Sequence, residues 1–280
     1  MKEDEKTMIL IVVLISIFFL GGYGGLVLYS GTDTPFSVVV SQSMQHDNNR
    51  SQIDRIDTGD IVLVRDKSNV DLKTYVEGYM EDEIYFGDYG NVVIYRGESG
   101  LNILHRLILY IEIYGEGEDK YAVAPYLEQD THSEKCLMFD VRDGTEFNPS
   151  RLTSDFSFRR CDVGYEIILI PIEHILSTTE SNTSGYITMG DNNRFTDQSR
   201  MFINPLVSYD DIVSVPVLEI PWLGTLKMIM DGNIEVIDIH TPNSIPLLVL
   251  ASLTGLIMVI SAQLQLCLYS LSRNKGRKRP

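Results

Sequence analysis

The chain has 280 residues, 44% of them hydrophobic, with 23 basic and 39 acidic side chains and a formal charge of −16. That length holds one globular domain of about 200 residues plus membrane segments. So acidic a chain excludes nucleic acid as a partner, because phosphates demand a basic face, and three cysteines exclude a disulfide scaffold.

A short head, residues 1–7, precedes the first uncharged run, "MILIVVLISIFFLGGYGGLVLYS" at 8–30. At roughly 1.5 Å per residue it reaches about 34 Å, enough to cross a hydrocarbon core. The head is not net positive and no A-x-A site follows, so the run reads as a retained anchor rather than a cleaved signal peptide. Next comes "SVVVSQSMQHD" (37–47), strand-like, with two serines one residue apart. Ser41 and Ser43 either cap that strand or form a reactive end held at the membrane surface.

From 31 to 240 the chain reads as one extracytoplasmic domain built mostly of short strands. "FSVVVS" (36–41), "DIVLVRD" (60–66), "NVVIYRG" (91–97), "NILHRLILYIEIY" (102–114), "KYAVAPY" (120–126), "YEIILIPI" (165–172), "GYITMG" (185–190) and "DIVSVPVLEI" (211–220) are rich in Val, Ile and Tyr. Gly, Asn, Asp and Pro separate them, and helical periodicity is scarce. The expected fold class is therefore mainly β, a barrel or sandwich carrying a transmembrane helix at each end. Residues 127–164 are polar and aperiodic, an insertion or small subdomain. Cys136 and Cys161 within it either pair or remain free thiols.

The second uncharged run, 241–272, predicts a transmembrane helix over 243–270, followed by a basic cytoplasmic tail at 271–280. Arg273, Lys275, Arg277, Lys278 and Arg279 are the densest positive cluster, which places both termini inside and the domain outside. Setting aside the head (two basic, three acidic) and the tail (five basic) leaves 16 basic and 36 acidic residues, a charge of −20 outside. Asn49 and Asn182 head sequons that an exported domain would expose.

A serine hydroxyl needs a base, itself oriented by a third group. Five histidines are available. His105 stands out because "ILHRLI" sets an imidazole in an otherwise apolar strand, with Arg106 on the opposite face. A buried structural histidine would look the same. His46, His132, His174 and His240 have no companion motif. The segment "GYITMGDNNRFTDQ" (185–198) ends a strand at Gly190 and turns through Asp191, with Asp197 six residues on. Such turns are ordinary hairpin chemistry, yet two carboxylates on one loop also suit a site that must hold an imidazole. No phosphate loop or metal-ligand cluster is evident, so neither metal nor cofactor is expected.

The ordered set "SQSM" (41–44), "TGDIVLV" (58–64), "ILHRLI" (103–108) and "GDNNRFTDQ" (190–198) resembles the conserved boxes of type I signal peptidases. The branch it resembles is the archaeal and endoplasmic-reticulum one, with histidine as base. "FGDYGNVVIYRG" (86–97) and "PWLGTLKM" (221–228) are similar to archaeal members. The resemblance covers residues 8–112 and 185–228. It implies Ser43 as nucleophile, His105 as general base, Asp197 as the acid partner of that histidine and Asp191 as a supporting acid. Ser41 and the Ser43 backbone would stabilise the oxyanion. Two positions depart: Gln42 stands where the family has glycine and His46 where it has proline.

The expectation is thus a membrane-bound serine endopeptidase, working at the lipid bilayer on signal-peptide-bearing preproteins, with a secretion translocon as a further partner. A self-cleaving serine–lysine protease would share the β-rich design, but no lysine occupies the box where His105 stands. An inactive or retargeted homologue, displayed as a β-rich binding domain, is the alternative and predicts that Ser43→Ala changes little.

Overall fold

The computed structural model describes residues 3–48, 50–129, 137–160, 167–199, 206–233, 241 and 244–276. Cys136, Cys161, Asn49, His132, His240 and the last three basic residues of the tail lie outside them.

The first apolar run forms α1 (Glu3–Ser30), whose aliphatic and aromatic side chains are exposed all round, Phe18 at 75% and Leu20 at 74%. A helix apolar on every side fits lipid better than water. It stops where Gly31 takes φ +71, a left-handed conformation that glycine adopts without steric cost. There the Asp66 amide donates to Ser30 O at 2.7 Å and Arg65 lies over the Tyr29 ring at 4.9 Å, so the helix end is fastened to the domain. The second run forms a 33-residue helix, Ser244–Gly276, also long and apolar enough to span a bilayer. Two such helices near the two ends fit a two-span membrane protein.

Between them the main sheet is antiparallel. It comprises β1 (Phe36–Val38), β2 (Ile61–Arg65), β5 (Val92–Arg96), β6 (Asn102–Tyr114), β7 (Tyr121–Val123), β11 (Thr183–Met189) and β12 (Ile212–Ile220). Their order is β1-β2-β12-β5-β6-β11, with β7 also on β6. A two-residue hairpin pair, β3 (Ile84–Tyr85) and β4 (Asp88–Tyr89), stands apart from it. A third sheet runs β10 (Ile168–Ile170), β9 (Phe156–Arg160), β8 (Leu137–Val141). Short helices α2 (Tyr75–Glu81), α3 (Pro125–Gln129), α4 (Ile172–Thr178) and α5 (Thr225–Met230) fill the connections.

The expected β-barrel or sandwich is not what forms. The fold is mixed α/β, with separate antiparallel sheets that do not close: β1 pairs only with β2, and β11 ends the path at β6. Strand-forming residues report local extension, whereas closure depends on which distant edges meet. The short helices leave equally little trace in the sequence. α2, for example, rests on a Thr74/Glu77 capping box rather than on a long apolar period.

β5 shows why its sequence does not alternate. Val92 and Ile94 enter one core with Val39, Met44 and Val62, while Val93 and Tyr95 enter another with Leu107, Ile212 and Val215. A strand covered on both faces reads as a continuous apolar run. The stretch expected to be an aperiodic insertion supplies β8 and β9, whose Phe139, Phe156 and Phe158 pack, with β10, against Ile108, Leu109 and Ile111 of β6.

Candidate active site

Ser43 sits in a 3-10 turn, Gln42–Met44, that follows β1. Met44 plugs the core beneath it at 1% exposure, so the turn cannot slide without opening a cavity. Above it the Ser41 and Ser43 hydroxyls meet at 3.1 Å. The upstream side is tied to the 57–60 turn, where Thr58 Oγ1 donates to Ser41 O at 3.0 Å and the Gly59 amide to Val39 O at 2.9 Å. Asp60, fully buried, braces that turn by accepting the Asp57 amide at 2.7 Å and the Trp222 amide at 2.6 Å. Burial, with the charges of Glu219 and Asp57 nearby, pushes Asp60 up to about 7.

His105 and Arg106, adjacent on β6, diverge as strand geometry requires. His105 Nδ1 lies 2.5 Å from Asp197 Oδ2. Asp197 is wholly buried at the start of a 3-10 turn, and the same oxygen accepts the Tyr95 hydroxyl at 2.9 Å and the Thr188 hydroxyl at 2.7 Å. Its other oxygen is buried with no hydrogen-bond partner among the described residues, so every hydrogen bond the carboxylate makes there converges on the oxygen facing the imidazole. Burial first, then the Asp197 charge, raises the Tyr95 phenol, which stays a donor.

Arg106, 1% exposed, grips Asp191 through Nε–Oδ1 at 2.8 Å and Nη2–Oδ2 at 2.6 Å. Its Nη1 donates to the carbonyls of Tyr85 and Gly90, each at 2.7 Å. Burial alone would raise the Asp191 carboxyl. The Arg106 charge and hydrogen bonds, with a smaller share from His46, outweigh it and hold Asp191 well below the usual range.

The junction between these two halves is Gly190. A β-bulge at Ile187/Thr188 sets Met189 opposite Arg106, which brings the next residue, Gly190, against His105. A β-carbon there would collide with Ser43 O and stand 2.9 Å from His105 Nε2. The Asn192 amide donates to Ser43 O at 2.8 Å, and its side chain donates to Gln42 O at 2.9 Å. Ser41, Ser43, His105, Asp191 and Asp197 therefore share one locale. No hydrogen bond joins Ser43 Oγ to His105 Nε2 among the described residues; the serine hydroxyl meets Ser41 instead. His174 lies on α4, with its carbonyl occupied by the Ser177 and Thr178 hydroxyls.

Several residues here carry no motif of their own. Tyr95 and Thr188 are hidden in strand-like runs, and only a lone polar atom within each apolar strand hints at a buried partner. His46 Nε2 lies 3.2 Å from Asp191 Oδ2, a proximity that its sequence position does not signal. Among the described residues, no cluster of three or more His, Cys, Asp or Glu side chains could hold a metal ion. No family model matches this chain, and no curated protein matches it.

Proposed function

We propose that this chain is a membrane-anchored serine endopeptidase that removes N-terminal signal peptides from exported preproteins. The observation that carries it is the buried His105–Asp197 contact at 2.5 Å, with Gly190 packed against both His105 and Ser43. With Nδ1 committed to Asp197, Nε2 is the ring nitrogen left to act as base, on the side facing Gly190. Substrate entry closes the gap between Ser43 Oγ and Nε2, since catalytic hydrogen bonds in empty sites commonly tighten on binding.

Ser43 Oγ attacks the scissile carbonyl while His105 takes its proton, and Asp197 stabilises the imidazolium. The oxyanion is met by the Ser41 hydroxyl and the Ser43 amide, donors worth about 3–4 kcal/mol each in such sites. Collapse of the tetrahedral intermediate returns the proton to the departing amine. Water, deprotonated by the same imidazole, then hydrolyses the ester on Ser43. The preprotein adds as an extended strand along β1, an edge of the main sheet, with shallow pockets admitting small side chains one and three residues before the cut.

Both termini are cytoplasmic and the domain extracytoplasmic, as the basic tail directs. The lipid bilayer holds the site where leader peptides emerge from the translocon, raising effective concentration. The test is to incubate the purified full chain, in detergent, with a preprotein carrying an apolar leader, and to map the products by mass spectrometry. One cut after a small residue at the end of the leader supports the proposal. An intact preprotein, or cuts scattered through the mature region, rejects it.

A further inference from the structure

We infer that His46 is a positioning residue that ties the Ser43 turn to the strand carrying His105; the inference rests on the serine-endopeptidase reading above. His46 lies three residues beyond Ser43 and is largely covered, its side chain 16% exposed. Its backbone amide donates to Asp57 Oδ1 at 2.9 Å, which fixes the chain leaving the 3-10 turn. Its Nε2 lies 3.2 Å from Asp191 Oδ2, the same oxygen that accepts Arg106 Nη2 at 2.6 Å. Its other nitrogen, Nδ1, is buried without a hydrogen bond, 3.9 Å from Asp57 Oδ1. The ring therefore stands between two carboxylates, with Nε2–H as the donor toward Asp191.

The path is short and made of stiff parts. Asp191 is clamped by Arg106, whose Nη1 is fixed to the carbonyls of Tyr85 and Gly90, and Arg106 is the β6 neighbour of His105. One end of the tie is thus the nucleophile's own turn and the other the strand of the base. The Asn192 amide on Ser43 O is a second bridge from the same loop, one residue from Asp191. Two bridges resist rotation of the turn where one would act as a hinge. A displacement of about 1 Å between nucleophile and base can cost about a hundredfold in rate, so a side chain that touches no substrate can still set it.

The experiment uses the full chain in detergent with three variants: His46→Ala, His46→Phe and His46→Gln. Phenylalanine keeps the ring's bulk without a donor, whereas glutamine carries an amide N–H to the place of Nε2. Preprotein cleavage is measured together with amide hydrogen exchange at Asn192, whose bond to Ser43 O reports the junction whether or not the chain is catalytic. The expected result is kcat reduced roughly ten- to a hundredfold in Ala and Phe with KM unchanged, recovered in Gln. Asn192 exchange should quicken in Ala and Phe alone, at equal global melting temperature. Wild-type exchange in all three variants overturns the inference, as does a Phe variant that cleaves like wild type. If the wild type cleaves nothing while exchange still follows the expected pattern, the tie stands and the peptidase proposal falls.

Discussion

Gly190 and His105 approach so closely that a single methyl group at position 190 would lie 2.9 Å from the imidazole Nε2 while colliding with the carbonyl of Ser43. The glycine is a spacer between the Ser43 turn and the His105 imidazole, and its lack of a side chain lets the two approach. Gly190→Ala should lower cleavage by about a hundredfold and cost about 1–3 kcal/mol of stability. Paired rate and melting measurements check this; an alanine variant with wild-type rate would show that the junction is loose.

Asp197 Oδ2 collects contacts from His105, Tyr95 and Thr188. Asp197→Asn should leave the packing nearly intact yet reduce kcat by up to about ten-thousandfold, because the amide favours the wrong imidazole tautomer. Tyr95→Phe should cost about 1.5–3 kcal/mol, the range for a hydrogen bond to a charged group, with a much smaller loss of rate. Comparing kcat with melting temperature in the two variants separates the roles.

Arg106 is buried and shared between a carboxylate and backbone carbonyls. Arg106→Met would strand the buried Asp191 charge and orphan those carbonyls, so a loss of about 3–5 kcal/mol is expected. Denaturant unfolding of the detergent-solubilised chain measures it. Equal midpoints would mean that the pair contributes nothing to the fold.

Two carboxyls should give opposite pH dependence. Asp60 is raised to about 7 by burial, so between the ordinary carboxylate value of 3.8 and about 7 the folded chain binds more protons than the unfolded one. Its contribution therefore falls as pH rises through that window. Asp191 is lowered, so its contribution is present above the ordinary carboxylate range and is lost as pH falls through the depressed value. Melting temperatures followed from about pH 3 to pH 8 should show the upper slope flatten in Asp60→Asn while the acid limb remains. An unchanged upper slope would contradict the assignment to Asp60.

Much of this was legible in residues. Runs of Val, Ile and Tyr mark β2, β5, β6 and β12, and the alternation at His105 and Arg106 separates two polar groups onto two faces of one strand. Closure was not legible, because it depends on β1 and β11 meeting or failing to meet across a gap of more than 140 residues. The bulge at Ile187/Thr188 was equally hidden. It changes register by one residue, with no composition signal, and decides what faces His105. Tyr95 reaches Asp197 from 102 positions away, and its hydroxyl looks in sequence like one more aromatic core residue. The approach of His46 to Asp191 has no sequence signal, because nearness to Ser43 along the chain says nothing about where the imidazole points.

The central claim is that Ser43 is a nucleophile activated by His105. Its most direct measurement is the single-turnover rate of leader cleavage by the wild-type chain, Ser43→Ala and His105→Ala, each first shown to melt like wild type. The account predicts a wild-type rate that both substitutions abolish to the same background. Cleavage persisting in either folded variant at the wild-type rate would contradict it.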